Sequence, residues 1–365
     1  MIPTGIVRGA LVGLSAVVLA LTLLIVCIRC GRRYRQRRRE RIAAPVRALL
    51  LRLLCAEEDD QSALLHRLAE IDKRTWTALE PTLTTLLGKV AGGARTALIR
   101  LYELRGAARD AVAALNSHRA SRRGRAAQVL GQLAHRPAVA PLCRLLADRD
   151  PEVRLAAARA LGRIGDPAAV PDLLESLHMP RSVPPGAVIR SLVSLGPGAQ
   201  RQVAAGLRQE PLVRAVAIEV LGAIGAASRT SEIARALRED PETEVRIKAA
   251  RALGRLGMPD GLEPLLAAVG PDRPTALRTV SVGALGSLGA VAATDRLVEL
   301  LGDATPRVAS TAARALLRLG PAGQGALRAV ADDRAGGPAS AQARAALAEV
   351  AVGGARHGVR AEVAL

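Results

Sequence analysis

The sequence predicts an all-α protein in which one N-terminal transmembrane helix precedes a solenoid of stacked helical hairpins. Three observations lead to this fold class: a twenty-residue uncharged segment near the N terminus, a leucine that recurs about every 31 residues, and a composition that is 50% apolar. Such an apolar content excludes a disordered polyelectrolyte. The 365 residues include only three aromatic rings, so the core must be aliphatic, and stacking on single-stranded nucleic-acid bases is disfavoured.

The segment Gly9–Ile28 is the candidate membrane span. It contains no charged residue, and a helix of this length is ~30 Å long, which is the thickness of a bilayer hydrocarbon core. A cleavable signal peptide is the main alternative, but its apolar region usually has about 7–15 residues. The block Arg29–Arg41 that follows holds eight arginines and one acid. By the positive-inside rule we therefore expect a single-pass protein of the cell (plasma) membrane with its C-terminal domain in the cytoplasm.

The arginine-rich block also predicts contact with anionic phospholipid headgroups, although a role as a topology signal alone is an equal alternative. Its basic residues are Arg29, Arg32, Arg33, Arg35, Arg37, Arg38, Arg39 and Arg41. Small residues recur every four positions at Gly5, Gly9 and Gly13, a spacing that favours a homodimer of such helices. Cys27 and Cys30 lack a second pair of ligands, which disfavours a metal site. Whether either cysteine is modified stays open.

A repeated segment dominates the rest of the chain. The stretch 150–165, DPEVRLAAARALGRIG, returns as PETEVRIKAARALGRLG at 241–257. The leucine before the first glycine in these copies serves as the marker leucine of each unit, and successive markers are 29 to 32 residues apart. The markers are Leu130, Leu161, Leu192, Leu221, Leu253, Leu285, Leu316 and Leu347. Intervals this regular predict a tandem array.

Each unit is predicted to be a pair of helices. The stretch 151–164 places its apolar residues on one helical stripe and its arginines on the other face. Asp150 is suited to cap this helix and Gly165 to end it. A shorter helix is predicted at Pro167–Leu177, before the next long one. One pair cannot bury both of its apolar faces, so the pairs must stack into a solenoid.

These patterns divide the chain into five parts. Residues 1–28 form a short tail and the transmembrane helix, and residues 29–41 form the basic juxtamembrane segment. Residues 42–118 are degenerate repeats that cap the array, with helices expected at 45–54, 62–71, 82–90 and 95–104. Residues 119–350 form the array itself, and residues 351–365 form a flexible C-terminal tail.

The D-P-x-V-R start and A-L-G-x-[IL]-G end resemble the HEAT-repeat superfamily, in particular its short-unit repeats of the phycobilin-lyase type, over roughly residues 107–350. This resemblance implies a right-handed α-solenoid whose second helices line the concave face. It also implies a structural ladder between units. The residues that it assigns to the ladder are Asp150, Arg154, Arg214, Asp240, Arg246 and Arg278. The excess of Arg over Lys is typical of a GC-rich genome and suggests a bacterial source.

No motif in the sequence predicts catalysis. The five histidines lie in separate segments, and P-loop, nucleophile-elbow and zinc-protease motifs are absent from the sequence. We therefore expect no enzyme, no cofactor and no metal. A lyase-like or enzyme-associated HEAT protein that binds a small molecule stays open as the alternative.

The remaining functional signal is a series of aligned arginines. Arg159, Arg190, Arg251 and Arg314 occupy one position of the repeat, and Arg163, Arg255 and Arg318 lie one turn later. The two interpretations are a binding track for an acidic protein segment and a merely solvated face. The favoured function is a membrane-tethered scaffold that binds a protein partner, either through an acidic segment or as a membrane protein. Nucleic acid is disfavoured because aromatic residues are so few.

Overall fold

The computed structural model describes residues 4–55, 58–333 and 336–349, and it describes the backbone alone for residues 4–18, 24, 31–32, 35–40, 43 and 58–60. The described residues form helices and turns and contain no β-strand, so the all-α prediction is confirmed for them. The chain divides into two compact units, Met1–Ala113 and Ala114–Leu365. The predicted tail 351–365 lies outside the described residues.

The first unit is built on one long helix. Its helices are α1 (Thr4–Cys55), α2 (Glu58–Ala69), α3 (Lys73–Leu87), α4 (Gly92–Leu104) and α5 (Ala107–Ala114), the last of which reaches the unit boundary. The helix expected at 45–54 is the end of α1, which continues through Pro45. Leu53, Leu79, Leu83 and Leu98 are almost fully buried and form the aliphatic core that the composition predicts.

The predicted membrane span is wrong. Within the described part of the chain, no helix combines the length and the apolar content that crossing a bilayer requires. The run Gly9–Ile28 is not a helix of its own, because α1 carries it directly into the arginine-rich block and on to Cys55. The assignment to the plasma membrane, with one span and a cytoplasmic C-terminal domain, is corrected accordingly.

The predictions that depended on the membrane span lose their basis. Arg29, Arg33 and Arg41 are exposed on α1, but nothing supports their predicted contact with lipid headgroups. The side chains of the other arginines of the block, Arg32, Arg35, Arg37, Arg38 and Arg39, lie outside the described residues. The same holds for the surroundings of Gly5, Gly9 and Gly13, so the homodimer stays an untested prediction.

A cluster around Trp76 ties three helices of the first unit together. The guanidinium of Arg105 lies 4.6 Å from the centre of the Trp76 ring. It also donates hydrogen bonds to the carbonyls of Ala69 and Ile71 at 2.6 and 2.5 Å, where α2 ends. Tyr102 packs edge-on against Trp76, and burial raises the pKa of its hydroxyl to about 12. Trp76 and Tyr102 are thus used for packing in this unit, whereas Tyr34 is exposed.

The second unit repeats a pair made of a short A element and a long B helix. The B helices are α6 (Ala120–Gln132), α8 (Pro151–Ile164), α10 (Pro185–Leu195), α12 (Pro211–Ala223), α14 (Thr243–Leu256), α16 (Thr275–Leu288) and α18 (Pro306–Arg318). The α-helices of the A elements are α7 (Val139–Arg144), α9 (Val170–Glu175), α11 (Gln200–Ala205), α13 (Thr230–Glu239), α15 (Leu262–Ala267), α17 (Thr294–Glu299) and α19 (Pro321–Ala331). A final helix, α20, covers residues 338–349.

The A elements differ from the single helices that the sequence predicts. The stretch predicted as one helix from Pro167 consists of a 3-10 turn, Pro167–Ala169, followed by the six-residue helix α9. Pro167 and Pro171 are four residues apart, and each suits the first turn of a helix, so two short helical segments replace one. The same turn-and-helix construction recurs in all the A elements from α7 to α17.

Successive B helices approach each other closely at one glycine. A Cβ atom placed on Gly131, the residue after the marker leucine, would lie 2.6 Å from the Cα of Ala160 on the next helix. The other pairs of this kind are Gly162 with Ser191, Gly222 with Ala252, Gly254 with Ala284, and Gly286 with Ala315. The A-L-G motif therefore encodes backbone contact between neighbouring units, in addition to the close packing that alanine permits.

Candidate functional site

Charge is distributed unequally between the two layers of the array. The seven B helices α6 to α18 carry sixteen Arg and Lys residues against three acids, Glu152, Glu219 and Glu244. The seven A elements, with their 3-10 turns, carry nine Arg and Lys residues against eight acids. Any general preference of the sequence for arginine applies to both layers. Composition alone therefore does not explain the positive charge of the B layer.

All seven arginines of the predicted track are exposed on B helices. We call them the arginine rows: the first row lies two residues before the marker leucine, and the second lies two residues after it. The first row comprises Arg159, Arg190, Arg251 and Arg314, and the second comprises Arg163, Arg255 and Arg318. No ion pair joins any of them to another described residue.

Row positions of two neighbouring B helices, α16 and α18, lie close together. Arg318 on α18 reaches back to α16, where its Nη1 lies 3.4 Å from both the Gly283 carbonyl and Ser287 Oγ. These two acceptors occupy the row positions of α16. Equivalent positions on these two consecutive B helices are therefore neighbours in space.

Two B helices interrupt the arginine rows. At the first-row position of α12 stands Glu219, which accepts a 2.7 Å hydrogen bond from Nζ of Lys248 on α14. At the first-row position of α16 stands Gly283, and the second-row positions of these helices hold Ala223 and Ser287. The sequence alignment does not reveal the Glu219–Lys248 pair, because the two residues occupy different positions of the repeat.

A surface depression of about 540 Å³ lies between α6 and α8. Its lining comprises Ala120, Ser121, Gly124, Arg125, Gln128, Asp150, Glu152, Val153, Ala156 and Arg159. Gly124 and Ala156 leave space between the two helices, and Arg125 and Arg159 contribute one guanidinium from each. Sequence reasoning missed Arg125, which lies on a B helix but outside the two row positions.

Other arginines of the B helices hold the array together through inter-repeat ion pairs. Arg214 on α12 donates from Nε and Nη2 to the carboxylate of Asp240, at 2.7 and 3.0 Å. Asp240 also accepts the backbone N–H of Glu242 at 3.0 Å. Arg123 forms the same bidentate pair with Asp148, and Arg278 pairs with Asp303. The structural role implied for Arg214, Asp240 and Arg278 is thus confirmed.

The other predicted ladder residues behave differently. Asp150 is the N-cap of α8, where its carboxylate accepts the N–H of Glu152 at 2.8 Å, so its ladder assignment is wrong. The paired acid is Asp148, two residues earlier. Arg154 donates to the backbone carbonyl of Asp148 rather than to a carboxylate. The Nε atoms of Arg154 and Arg246 are both buried without a hydrogen-bond partner.

These ion pairs predict that the folded protein is less stable at acidic pH. Burial opposes ionisation of Asp148 and Asp303, but hydrogen bonds from arginine and backbone N–H groups outweigh it and lower the pKa of both carboxyls. Their contribution to stability is present above the unfolded-state pKa of about 3.9 and is lost as the pH falls through the lowered values. We expect urea unfolding to show lower stability at pH 3 than at pH 7. An Asp148→Asn, Asp303→Asn double variant should lose less stability over this range than the wild type, and an equal loss would contradict the assignment.

Two observations on the described residues concern metal binding and the reactivity of one cysteine. The described residues contain no cluster of His, Cys, Asp or Glu side chains suited to hold a metal ion. Burial, followed by the nearby Asp172 carboxylate, raises the pKa of the Cys143 thiol to about 12. This thiol is therefore protonated at neutral pH and unsuited to nucleophilic attack.

Comparison with known proteins identifies the repeat. The family model described as HEAT repeats matches residues 104–193 and 201–286. No curated protein sequence is detectably similar to the chain. One similar solved structure is an engineered protein, with 20% identity, 82% of this chain and 97% of that chain covered, and a TM-score of 0.37.

Two further solved structures are similar to the chain. A mutant of Kap121p has 14% identity and a TM-score of 0.48, with 82% of this chain covered but only 40% of that one. The complex of CpcE and CpcF of phycocyanin lyase from Nostoc sp. PCC7120 has 26% identity and a TM-score of 0.29, with 66% and 94% covered. The matched repeats, the paired A and B elements and the inter-repeat ion pairs together identify the chain as a member of the HEAT-repeat superfamily.

Proposed function

We propose that this HEAT-repeat solenoid is a non-enzymatic scaffold that binds an acidic segment of a partner protein along the arginine rows. The charge difference between the two layers carries the proposal. The B helices carry sixteen basic residues and three acids, whereas the A elements are nearly balanced. Loop aspartates compensate Arg123, Arg214 and Arg278, but no ion pair with a described residue compensates the arginine rows. Guanidinium groups form bidentate hydrogen bonds with carboxylates, which makes an exposed arginine row suited to acidic side chains.

The B helices lack the aromatic rings that favour binding of single-stranded nucleic acid. None of the three aromatic residues, Tyr34, Trp76 and Tyr102, lies on a B helix, so the arginine rows have no ring on which a base can stack. Phosphates would still be attracted to the same charge. An oligonucleotide is therefore a necessary competitor in any binding test.

Two matched charge reversals test the proposal. The first replaces Arg159, Arg251 and Arg314 of the first row by Glu, and the second replaces Arg144, Arg201 and Arg328 of the A elements. All six side chains are exposed, and each triple variant changes the net charge by the same amount. Binding of a fluorescently labelled glutamate-rich peptide to the full chain is measured by anisotropy at low and physiological salt. We expect the first variant to bind about tenfold or more weakly than the second.

The result separates a site from a net-charge effect. Equal weakening of both variants, with normal helical circular dichroism, would assign the binding to overall charge and contradict the proposal. Tighter binding of an oligonucleotide than of the peptide at physiological salt would also contradict it. Wild-type binding of the peptide should weaken as salt rises, because exposed charges are screened over about 8 Å at 0.15 M.

A further inference from the structure

The arginine rows are unevenly spaced, and their spacing points to the partner. Beyond α8, the row arginines lie on α10, α14 and α18, which are every second B helix. The helices between them, α12 and α16, have no basic residue at either row position. From α10 onward, the positive charge of the rows is therefore concentrated at intervals of two repeats.

The surface over α12 carries no excess positive charge. The ammonium of Lys248 is 2.7 Å from Glu219 and 3.8 Å from Glu244, so two carboxylates compensate it. Leu212 lies seven residues before Glu219, two helical turns away on the same face, and is 42% exposed. This part of the surface suits an uncharged or apolar stretch of a ligand better than a carboxylate.

The distance between row arginines that are two repeats apart can be converted into a number of residues of an extended ligand. Packed helices lie about 8–10 Å apart, so α14 and α18, separated by α16, are ~16–20 Å apart. An extended chain advances about 3.3–3.6 Å per residue. Two repeats therefore correspond to about five or six residues of a bound segment.

On the basis of the function proposed above, we infer that the arginine rows select an extended protein segment whose acidic residues recur about every five or six positions. The intervening residues are uncharged or apolar. With this spacing, several carboxylates reach an arginine at the same time. A segment with the same number of acids placed side by side engages only one or two B helices at once and leaves the others unused.

Peptides of equal composition test the spacing. Two labelled 20-residue peptides each contain four Glu among Ser and Ala, placed either every five residues or every second residue. Their affinities for the full chain are compared by anisotropy. We expect the five-residue spacing to bind about fivefold more tightly, because it adds ion pairs that the clustered peptide cannot form together.

An arginine introduced at the row position of α16 should change the spacing of acidic residues that the protein prefers. A Cβ atom at Gly283 would lie 3.6 Å from Thr311 Cγ2, an ordinary contact, so Gly283→Arg adds a charge on α16 without a clash at Cβ. Arginines would then stand on three consecutive helices, α14, α16 and α18. We expect a peptide with Glu every three residues to gain severalfold in affinity for this variant, whereas Gly283→Ala should not change its binding.

The outcomes distinguish the inference from the function on which it rests. Equal binding of the two spacings, together with loss of both in the first-row charge reversal, would overturn the spacing and leave the proposed function intact. Failure of the chain to bind either peptide would overturn both. A preference for the five-residue spacing that Gly283→Arg moves toward three residues would support both.

Discussion

Replacing Gly286 by alanine is expected to destabilise the array by about 2–3 kcal/mol, although alanine is the better helix former. The new Cβ atom would lie 2.6 Å from the Cα of Ala315 on α18. This is a backbone atom, so no change of side-chain rotamer can relieve the clash. The two B helices must then separate, which weakens the packing of the aliphatic side chains around them. The free energy of unfolding, measured by urea denaturation and circular dichroism, checks this expectation.

Gly283 on the same helix is the matched control. It lies three residues before Gly286, and its Cβ atom would meet only Thr311 Cγ2 at 3.6 Å. Gly283→Ala should therefore stabilise the protein by about 0.5–1 kcal/mol, the usual difference between the two residues inside a helix. Changes of the same sign in both variants would show that the helices do not depend on glycine for their close approach.

Replacing Asp240 by alanine is expected to cost about 2–4 kcal/mol of stability. The change leaves the Arg214 guanidinium without its bidentate partner at a site where the two side chains are only 19% and 6% exposed. It also removes the acceptor of the Glu242 N–H at the start of α14. Urea unfolding of the variant measures the loss.

Asp272 provides the comparison for this ion pair. Like Asp240, it lies thirteen residues before a marker leucine, but it is exposed, and among the described residues its ion pair is with the adjacent Arg273, at 3.4 Å. Arg246, which occupies the position that would pair with it, donates to Thr243 Oγ1 instead. Asp272→Ala should change stability by less than about 0.5 kcal/mol. Similar losses from both alanine variants would contradict the structural role of the ion pair.

The repeat architecture could be predicted because its signals are local. Asp150 caps α8 and Gly165 ends it in the left-handed conformation, as their positions in the repeat indicate. The choice of Asp148 rather than Asp150 as the partner of Arg123 could not be predicted in the same way. It depends on the orientation of a loop carboxylate toward the preceding unit, which spacing within one helix does not encode.

The N-terminal segment was predicted wrongly from its local hydropathy. An uncharged run of twenty residues has the length of a membrane span, but hydropathy alone does not say where the helix that contains it ends. In the structure that helix continues through the eight arginines of the block Arg29–Arg41 and on to Cys55. Alignment of the repeats likewise did not reveal the charge difference between the layers. That difference appears only when the boundaries of the A elements and B helices are known and the charges of the two are counted.

Photo-cross-linking tests the central claim most directly. A glutamate-rich peptide with a photoreactive residue at its centre is irradiated with the full chain, and the attachment sites are located by mass spectrometry. The proposed function predicts attachment near the arginine rows on α8, α10, α14 and α18, with loss of these products when Arg159, Arg251 and Arg314 are reversed to Glu. Attachment mainly to the A elements or to the arginine-rich block of α1, unchanged by this reversal, would contradict it.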